Sequence, residues 1–338
     1  MNLAVIGCGD AARTVVLASR LVRGVRLVAF ADTNRLRAER LARRFRGAVA
    51  AERWEELLAM ESVEAVYLAV PHVLHEELTV ASVSAGKAVL LEKPLAGSVA
   101  SAERLLEATA SEEGQSARPK IGVNYQMRYD PRAWALVEAA RAGLLGEIAY
   151  ITVDVPWYRT EAYFENAPWH RSRDMAGGGT LLTQGSHALD IAMLCAGSHP
   201  VVASGRVYQR VHADTEVEDL AVGTIEMSSG VPVIVTSSMV ARPGFLVRIA
   251  VYGSLGSVIY SGPGSPRLRS YGVRLAVPPA LSELSGYVGA VRGFRRWVEQ
   301  GEPFRCPAAE ALPVLRAVDA VYRSASLGRT VRIEEMGA

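Results

Sequence analysis

Along the first third of the chain, short apolar runs alternate with longer amphipathic stretches. Leu3–Ile6, Val25–Ala31, Val63–Val70, Ala88–Leu91 and Ile121–Asn124 read as buried strands. Helices are expected from the glycine turn at Gly7 through about Leu21, and over Arg35–Phe45, Glu52–Met60, His75–Ala85 and Val99–Ser111. Strand–helix alternation forces parallel strands joined by right-handed crossovers, so the predicted sheet is doubly wound with helices on both faces. The polar stretch 111–119 (SEEGQSARP) reads as a loop.

After about Gly146 the period changes. Ile148–Val155 alternates like a strand, 157–179 is aromatic, polar and glycine-rich, and Thr180–Cys195 looks helical. Then Val201–Val211, Asp219–Glu226, Val231–Val240, Leu246–Tyr252 and Ser257–Tyr260 follow one another without helices, punctuated by Gly230 and Gly253. Successive strands of that kind make an antiparallel sheet. Ser285–Gln300 and Ala308–Ser326 close the chain as helices. The expectation is an α/β protein in two parts: a Rossmann-type domain over 1–120, and an α+β domain over 121–338 whose open sheet is largely antiparallel.

Composition narrows the class. A formal charge of +2 on 338 residues gives no general field for nucleic acid or a membrane surface. No apolar run reaches the roughly 18 residues of a membrane span. Cys8, Cys195 and Cys306 are isolated, without metal-ligand spacing, so no metal site is expected. An odd cysteine count and a start that runs straight into a strand predict a cytoplasmic protein. Of the 37 basic residues only Lys87, Lys93 and Lys120 are lysines, which draws attention to any lysine in a motif.

Gly7-Cys8-Gly9-Asp10-Ala11-Ala12 follows the first strand and opens a helix, matching the dinucleotide fingerprint GxGxxG/A. The first glycine permits the tight turn, the second lets backbone approach a diphosphate, and small Ala12 lets helix and strand pack closely. The helix N-terminus adds unpaired N–H groups. Alone, the string fits an ordinary glycine turn as well. Asp32, at the end of the second strand, adds a carboxylate placed to accept from ribose hydroxyls; with Asn34 and Arg35 it forms the expected adenosine end of the cofactor site. The plainer reading of Asp32 is a cap for the following helix. A carboxylate there repels a 2′-phosphate, which favours NAD, while Arg35 is close enough to keep NADP open.

Val89-Leu90-Leu91-Glu92-Lys93-Pro94 puts a lysine immediately after a buried strand, at the carboxyl edge where open α/β sheets bind ligands. A lysine before a proline turn is ordinarily just solvated. Beside a nicotinamide it can instead hydrogen-bond the reacting hydroxyl and help transfer its proton.

With these strings in hand, the chain resembles the glucose–fructose oxidoreductase / inositol dehydrogenase / MocA (Gfo/Idh/MocA) family. The matching segments are VIGCGDAA, AVYLAVPHVLHEEL, AGKAVLLEKPLA, GVNYQMRYDP, GLLGEI, AGGGTLLTQGSHALD and YGSLGSV, which span most of the chain. The resemblance implies a nicotinamide-dependent dehydrogenase acting on a sugar or polyol. It implies Lys93 as a catalytic residue, a cis peptide before Pro94, and Pro71 and His75 lining the nicotinamide side. Val70, His72 and Glu92 are grouped with them as cofactor-facing positions.

Gly177-Gly178-Gly179 precedes the segment carrying Gly185-Ser186-His187 and Asp190. A histidine there can take the proton from a hydroxyl as hydride leaves the same carbon. Its bland alternative is a buried helix histidine. Many family members carry an acid four positions earlier, where this chain has Thr183, so a relay through an acid does not transfer; Thr183 is read as a substrate-hydroxyl partner. Asp190 is read as structural, and His199 and His212 as surface or strand residues. Trp157, Tyr158, Tyr163, Phe164 and Trp169, with Arg159, Arg171 and Arg173 among them, suit stacking on a sugar ring and pairing with an anionic group. Tyr125 and Arg128 are expected to face the same cleft. The substrate is therefore read as a sugar or polyol, leaning towards a phosphorylated, nucleotide-linked or acidic sugar.

Two rival enzymes share the cofactor: a glycosidase-like lyase that retains NAD with no net redox, and a dihydrodiol or small-ketone dehydrogenase. A non-enzymatic NAD sensor would have no use for Lys93 and His187. The outer face of the antiparallel sheet is expected to pair with a second copy as a homodimer or homotetramer.

Overall fold

The structure is a computed structural model and describes residues 1–110, 119–262, 267–276 and 284–333. The chain divides into two compact units, one of Met1–Gln126 with Leu284–Leu312 and the other of Met127–Glu283 with Pro313–Ala338.

In the first unit, strands β1 (Asn2–Ile6), β2 (Arg26–Ala31), β3 (Val49–Ala51), β4 (Ala65–Leu68), β5 (Ala88–Leu91) and β6 (Ile121–Val123) form one sheet in the order β3-β2-β1-β4-β5-β6. Every pair is parallel, the doubly wound arrangement with its reversal between β1 and β4. β4 is buried at all four positions, as a strand covered on both faces must be. Helices run over Asp10–Arg20, Arg35–Ala42, Trp54–Leu58, His75–Ser84 and Val99–Ala108. β3 was not anticipated. It has three residues, and Val49 is 46% exposed, so it carries no apolar period. The expected end of the fifth helix at Ser111 and nearly all of the 111–119 loop fall outside the described residues.

The division at residue 120 differs from the one observed. The helix Leu284–Gln300 belongs to the first unit, where it buries Gly286, Ala290, Val291 and Phe294. Phe294, Trp297 and Phe304 form a ring cluster there. Lys120 Nζ donates to the carbonyls of Trp297 (2.7 Å) and Val298 (3.0 Å). A return of the chain to an earlier domain leaves no mark in local periodicity.

The second unit holds β7 (Ile148–Pro156), β8 (Pro200–Tyr208), β9 (Leu220–Met227), β10 (Pro232–Ser238), β11 (Val247–Gly253), β12 (Ser257–Gly262), β13 (Arg267–Tyr271) and β14 (Val331–Arg332). Their order is β13-β12-β11-β7-β10-β9-β8-β14. All pairs are antiparallel except β7 with β10, which run parallel from Val233 opposite Ile151 to Ser238 opposite Pro156. β9 buries Ala221, Gly223, Ile225 and Met227 and turns Val222 and Glu226 outward, the alternation of a sheet covered on one face. The single helix expected over Thr180–Cys195 is in fact a π-helical turn, Leu181–Gly185, running into an α-helix, Ser186–Ala196. Such π segments recur at functional sites.

Candidate active site

The first site is laid out by strand register. Ile6 pairs with Ala31 and Leu68, Leu68 with Leu91, and Leu91 with Val123. The residues that leave these strands therefore follow one another along the carboxyl edge in the order Asp32, Gly7, Ala69, Glu92 and Asn124. Adjacent strands lie about 4.8 Å apart.

Gly7 has φ +86°, and a Cβ on it would stand 2.2 Å from the Ala69 carbonyl oxygen, so only glycine fits. Gly9 is different: a Cβ there would meet nothing within 4 Å. That open space lies against the start of the helix Asp10–Arg20, whose N-cap Gly9 has no side chain to cap it. The first N–H groups of a helix have no intrahelical acceptors, and here they offer donors and a partial positive charge to a diphosphate. Ala12 is fully buried, as close helix–strand packing requires.

Asp32 Oδ2 accepts from Cys8 N and Oδ1 from Asn34 N, both at 2.8 Å. The helix N-cap is Asn34, so Asp32 orders the turn ahead of the cap, and each of its oxygens keeps a further lone pair. Arg35 Nε donates to Glu39 along its own helix at 3.1 Å. Cys8 is buried, and burial pushes its thiol up to about 12, so it is an inert packing residue.

The three lysines part company in the structure. Lys87 Nζ donates to the carbonyls of Met60 and Val63, and Lys120 to two carbonyls of the C-terminal helix of this unit. Lys93 instead follows β5 at the carboxyl edge, half-buried, and its peptide bond to Pro94 is cis.

His75 corrects an expectation. It is fully buried, with Nδ1 2.8 Å from the Pro94 carbonyl and Nε2 3.2 Å from that of Val70. Burial lowers its pKa to about 4, so the ring is neutral and has one N–H, which the shorter contact assigns to Pro94. His75 thus fastens the turn that carries Lys93 to the loop after β4, rather than presenting itself to a ligand. His72, 4% exposed, packs edge-on to it at 5.5 Å. Val70 and Pro71 are half-buried.

Glu92 is gripped on one oxygen. The buried Tyr67 hydroxyl and Asn124 Nδ2 (2.7 Å) both donate to Oε1, while Oε2 has no protein partner among the described residues. Burial and the neighbouring Glu92 raise the Tyr67 hydroxyl well above its usual range, so it stays a donor. Asn124 Oδ1 is buried without a hydrogen bond. Oε2 and Oδ1 are thus two acceptors left for a donor from outside the protein. Asn124 and Tyr67 were not singled out from the sequence, although Asn124 stands directly after β6 in the string GVNYQMRYDP. Tyr125 is 1% exposed.

In the second unit, the glycine triplet wraps a carboxylate. Glu218, 2% exposed, accepts from Gly179 N (2.8 Å), Leu181 N (3.0 Å) and the Tyr322 hydroxyl (2.8 Å). A Cβ on Gly179 would lie 1.9 Å from the Glu218 carbonyl oxygen, which explains the glycine. Burial raises the Glu218 pKa against the pull of these donors. No local signal marked Glu218. The turn leads to Thr183, whose hydroxyl donates to the Gly179 carbonyl at 2.7 Å. His187, 9% exposed, sits in the first turn of the following helix.

Arg128 also corrects an expectation. Its Nε and Nη2 donate to the two oxygens of Asp190 at 2.8 and 2.7 Å, with the two side chains 2% and 1% exposed. It is a buried bidentate tie to the His187 helix, not a cleft residue. His212, read as a surface or strand residue, lies outside any strand, is 5% exposed and packs on Phe164 at 4.9 Å; His199 is exposed. In the aromatic segment, the Arg159 guanidinium lies 5.0 Å from the ring centres of both Trp157 and Tyr163, and Tyr163 stacks on His170 at 4.5 Å. Burial pushes the Tyr163 hydroxyl up to about 12. Tyr158 accepts from Arg242 at 2.5 Å, and Trp169 is half-buried. Among the described residues, no group of three or more His, Cys, Asp or Glu is placed to hold a metal ion, and no helix is long and apolar enough to cross a membrane.

Both parts of the chain match known proteins. Residues 1–117 match the oxidoreductase family with an NAD-binding Rossmann fold, and residues 134–259 match the GFO/IDH/MocA C-terminal domain. The chain is 28% identical to inositol 2-dehydrogenase 2 of Saccharopolyspora erythraea, over 99% of this chain and 96% of that one. It is 26% identical to 1,5-anhydro-D-fructose reductase of Ensifer adhaerens, over 97% of each. Among solved structures, GenD2 from gentamicin A biosynthesis, in complex with NAD, is 25% identical with a TM-score of 0.83, covering 99% of this chain and 97% of that one.

Proposed function

The chain belongs to the Gfo/Idh/MocA family of NAD-binding oxidoreductases, and from that premise we propose that it oxidises or reduces one hydroxyl-bearing carbon of a sugar, sugar derivative or polyol. The observation that carries this reading is the carboxyl edge of the first sheet. There a glycine turn with open space at Gly9, an acid at Asp32 and the Glu92-Lys93-Pro94 turn follow the ends of β1, β2 and β5 on one edge of the sheet.

The residues fit NAD. The N–H groups of Asp10, Ala11 and Ala12 receive the diphosphate, and Asp32 takes the adenosine ribose hydroxyls. Asp32 disfavours a 2′-phosphate, and Arg35 is engaged by Glu39, so NAD is preferred to NADP. Glu92 Oε2 and Asn124 Oδ1 are acceptors for cofactor donors at the nicotinamide end. When bound, NAD⁺ supplies a carbon, C4 of the nicotinamide, able to accept a hydride. Lys93 donates a hydrogen bond to the substrate oxygen and stabilises it as its proton leaves; His187 is the second proton-handling group, and Thr183 accepts from a neighbouring substrate hydroxyl. The balance is a secondary alcohol losing hydride from carbon and a proton from oxygen, giving a ketone, NADH and one proton.

The outward face of the second sheet, with Tyr150, Val222 and Ile234 exposed, suits a second copy of the chain in a cytoplasmic homodimer or homotetramer. A panel of sugars and polyols deuterated at the carbinol carbon tests the reaction. Label should appear on the reduced nicotinamide in proportion to ketone formed. Products formed with no label accumulating on free cofactor would reject net dehydrogenation.

A further inference from the structure

The arginines of the second unit's aromatic segment differ in what neutralises them. Arg171 pairs with Glu161 and Asp214, and Arg173 donates to the Glu216 carbonyl at 3.1 Å. Arg128, further back in the chain, is held by Asp190. Arg159 alone among these has neither a carboxylate nor a side-chain hydrogen bond among the described residues. Its guanidinium lies over two aromatic faces, and its Nε is buried with no acceptor. Aromatic faces attract a cation, but they do not satisfy its N–H groups, and a desolvated charge without a counter-charge is costly to keep. Burial accordingly holds the Arg159 pKa below the ordinary arginine value.

Two further observations bear on this guanidinium. The Tyr163 ring lies under the same guanidinium, and its hydroxyl, 3.2 Å from His170 Nδ1, neighbours Thr183 and Gln184, one turn before His187. Gln184 is 2% exposed, and neither its amide nitrogen nor its oxygen has a hydrogen-bond partner. Arg159 also lines an open cleft of about 360 Å³ with Trp157, Tyr158, Phe245 and Leu246, a volume within the range of small-ligand sites.

We propose that Arg159 is a specificity-determining residue that binds a carboxylate of the substrate, making the substrate an acidic sugar or a carboxylated polyol. This rests on the oxidoreductase reading above and narrows its substrate class. A carboxylate is favoured over a phosphate because one unpaired guanidinium matches one negative charge, and the neighbouring arginines are already engaged. The planar fork of the guanidinium fits a carboxylate's two oxygens.

The test compares D-glucuronate, D-glucose and D-glucose 6-phosphate as substrates with saturating NAD⁺, in the wild type, Arg159→Gln and Arg159→Lys. Glucuronate should have the highest kcat/KM in the wild type. The glucuronate-to-glucose ratio should fall about 10–100-fold in Arg159→Gln, the range of a lost charged hydrogen bond, and by less in Arg159→Lys. A ratio within threefold of wild type in Arg159→Gln, or preference for the phosphate ester, overturns the proposal. If none of the three is oxidised, thermal shifts with NADH present separate the two readings. A rise in Tm with glucuronate but not glucose, absent in Arg159→Gln, keeps the carboxylate site while counting against the reaction; no rise overturns the site. Because Arg159 is unpaired, Arg159→Gln should melt no lower than wild type without ligand, and a large fall would show that its charge is satisfied within the protein.

Discussion

The carboxyl edge of the first sheet and the segment around His187 in the second unit are assembled by different means. At the first, backbone groups do most of the work. The positive φ of Gly7, the free N–H groups of the first helix and the in-register strand ends fix the positions of Asp32 and Glu92. At the second, side chains far apart in sequence meet inside the unit: Arg128 and Asp190 are 62 positions apart, and Glu218 reaches Gly179 across 39. Turn chemistry is local and can be read from a string of residues. Charge pairing across a fold is not, and it decides which charges are available to a ligand.

The contrast can be broken on either side. The largest effect is expected at the buried pair, where Asp190→Asn leaves Arg128 without its counter-charge in a dry interior. Losing one partner of such a pair typically costs about 3–5 kcal/mol, which urea denaturation would read as a lower midpoint. A loss below about 1 kcal/mol would mean that Arg128 finds another anion or water and is not a structural tie. A smaller effect is expected at Gly9. Gly9→Val adopts the same extended backbone without strain, since φ is −75°, and its side chain occupies the space that is empty now. Affinity for NAD⁺ should fall about 10–100-fold by calorimetry, or about 1.4–2.8 kcal/mol, with thermal stability nearly unchanged. Unaltered affinity would place the cofactor's diphosphate elsewhere.

The same division explains what the sequence revealed. Gly7–Ala12, Asp32 and Glu92-Lys93 stand where the apolar runs and turn residues put them, because each follows a strand whose period is plain. β3 escaped notice because three residues carry no period, and the π-turn at Leu181–Gly185 because nothing in LLTQG distinguishes it from an α-helix. His75 was assigned to the cofactor on its place in a motif, yet its two ring nitrogens face backbone carbonyls that no sequence pattern reveals. Arg128 and Arg159 looked alike as arginines near aromatic residues. Only the fold shows that Asp190 neutralises one of them, whereas the other has just two rings for company.

The most direct measurement sets turnover beside cofactor affinity in Lys93→Ala, using whichever panel substrate the wild type oxidises fastest. Loss of a positioned proton-transfer group should lower kcat by about 10²–10⁴, while NAD⁺ binds within about threefold of wild type because its diphosphate and ribose contacts lie on other strand ends. Turnover close to wild type would contradict the role of Lys93 and, with it, the reading of this edge as the reacting centre.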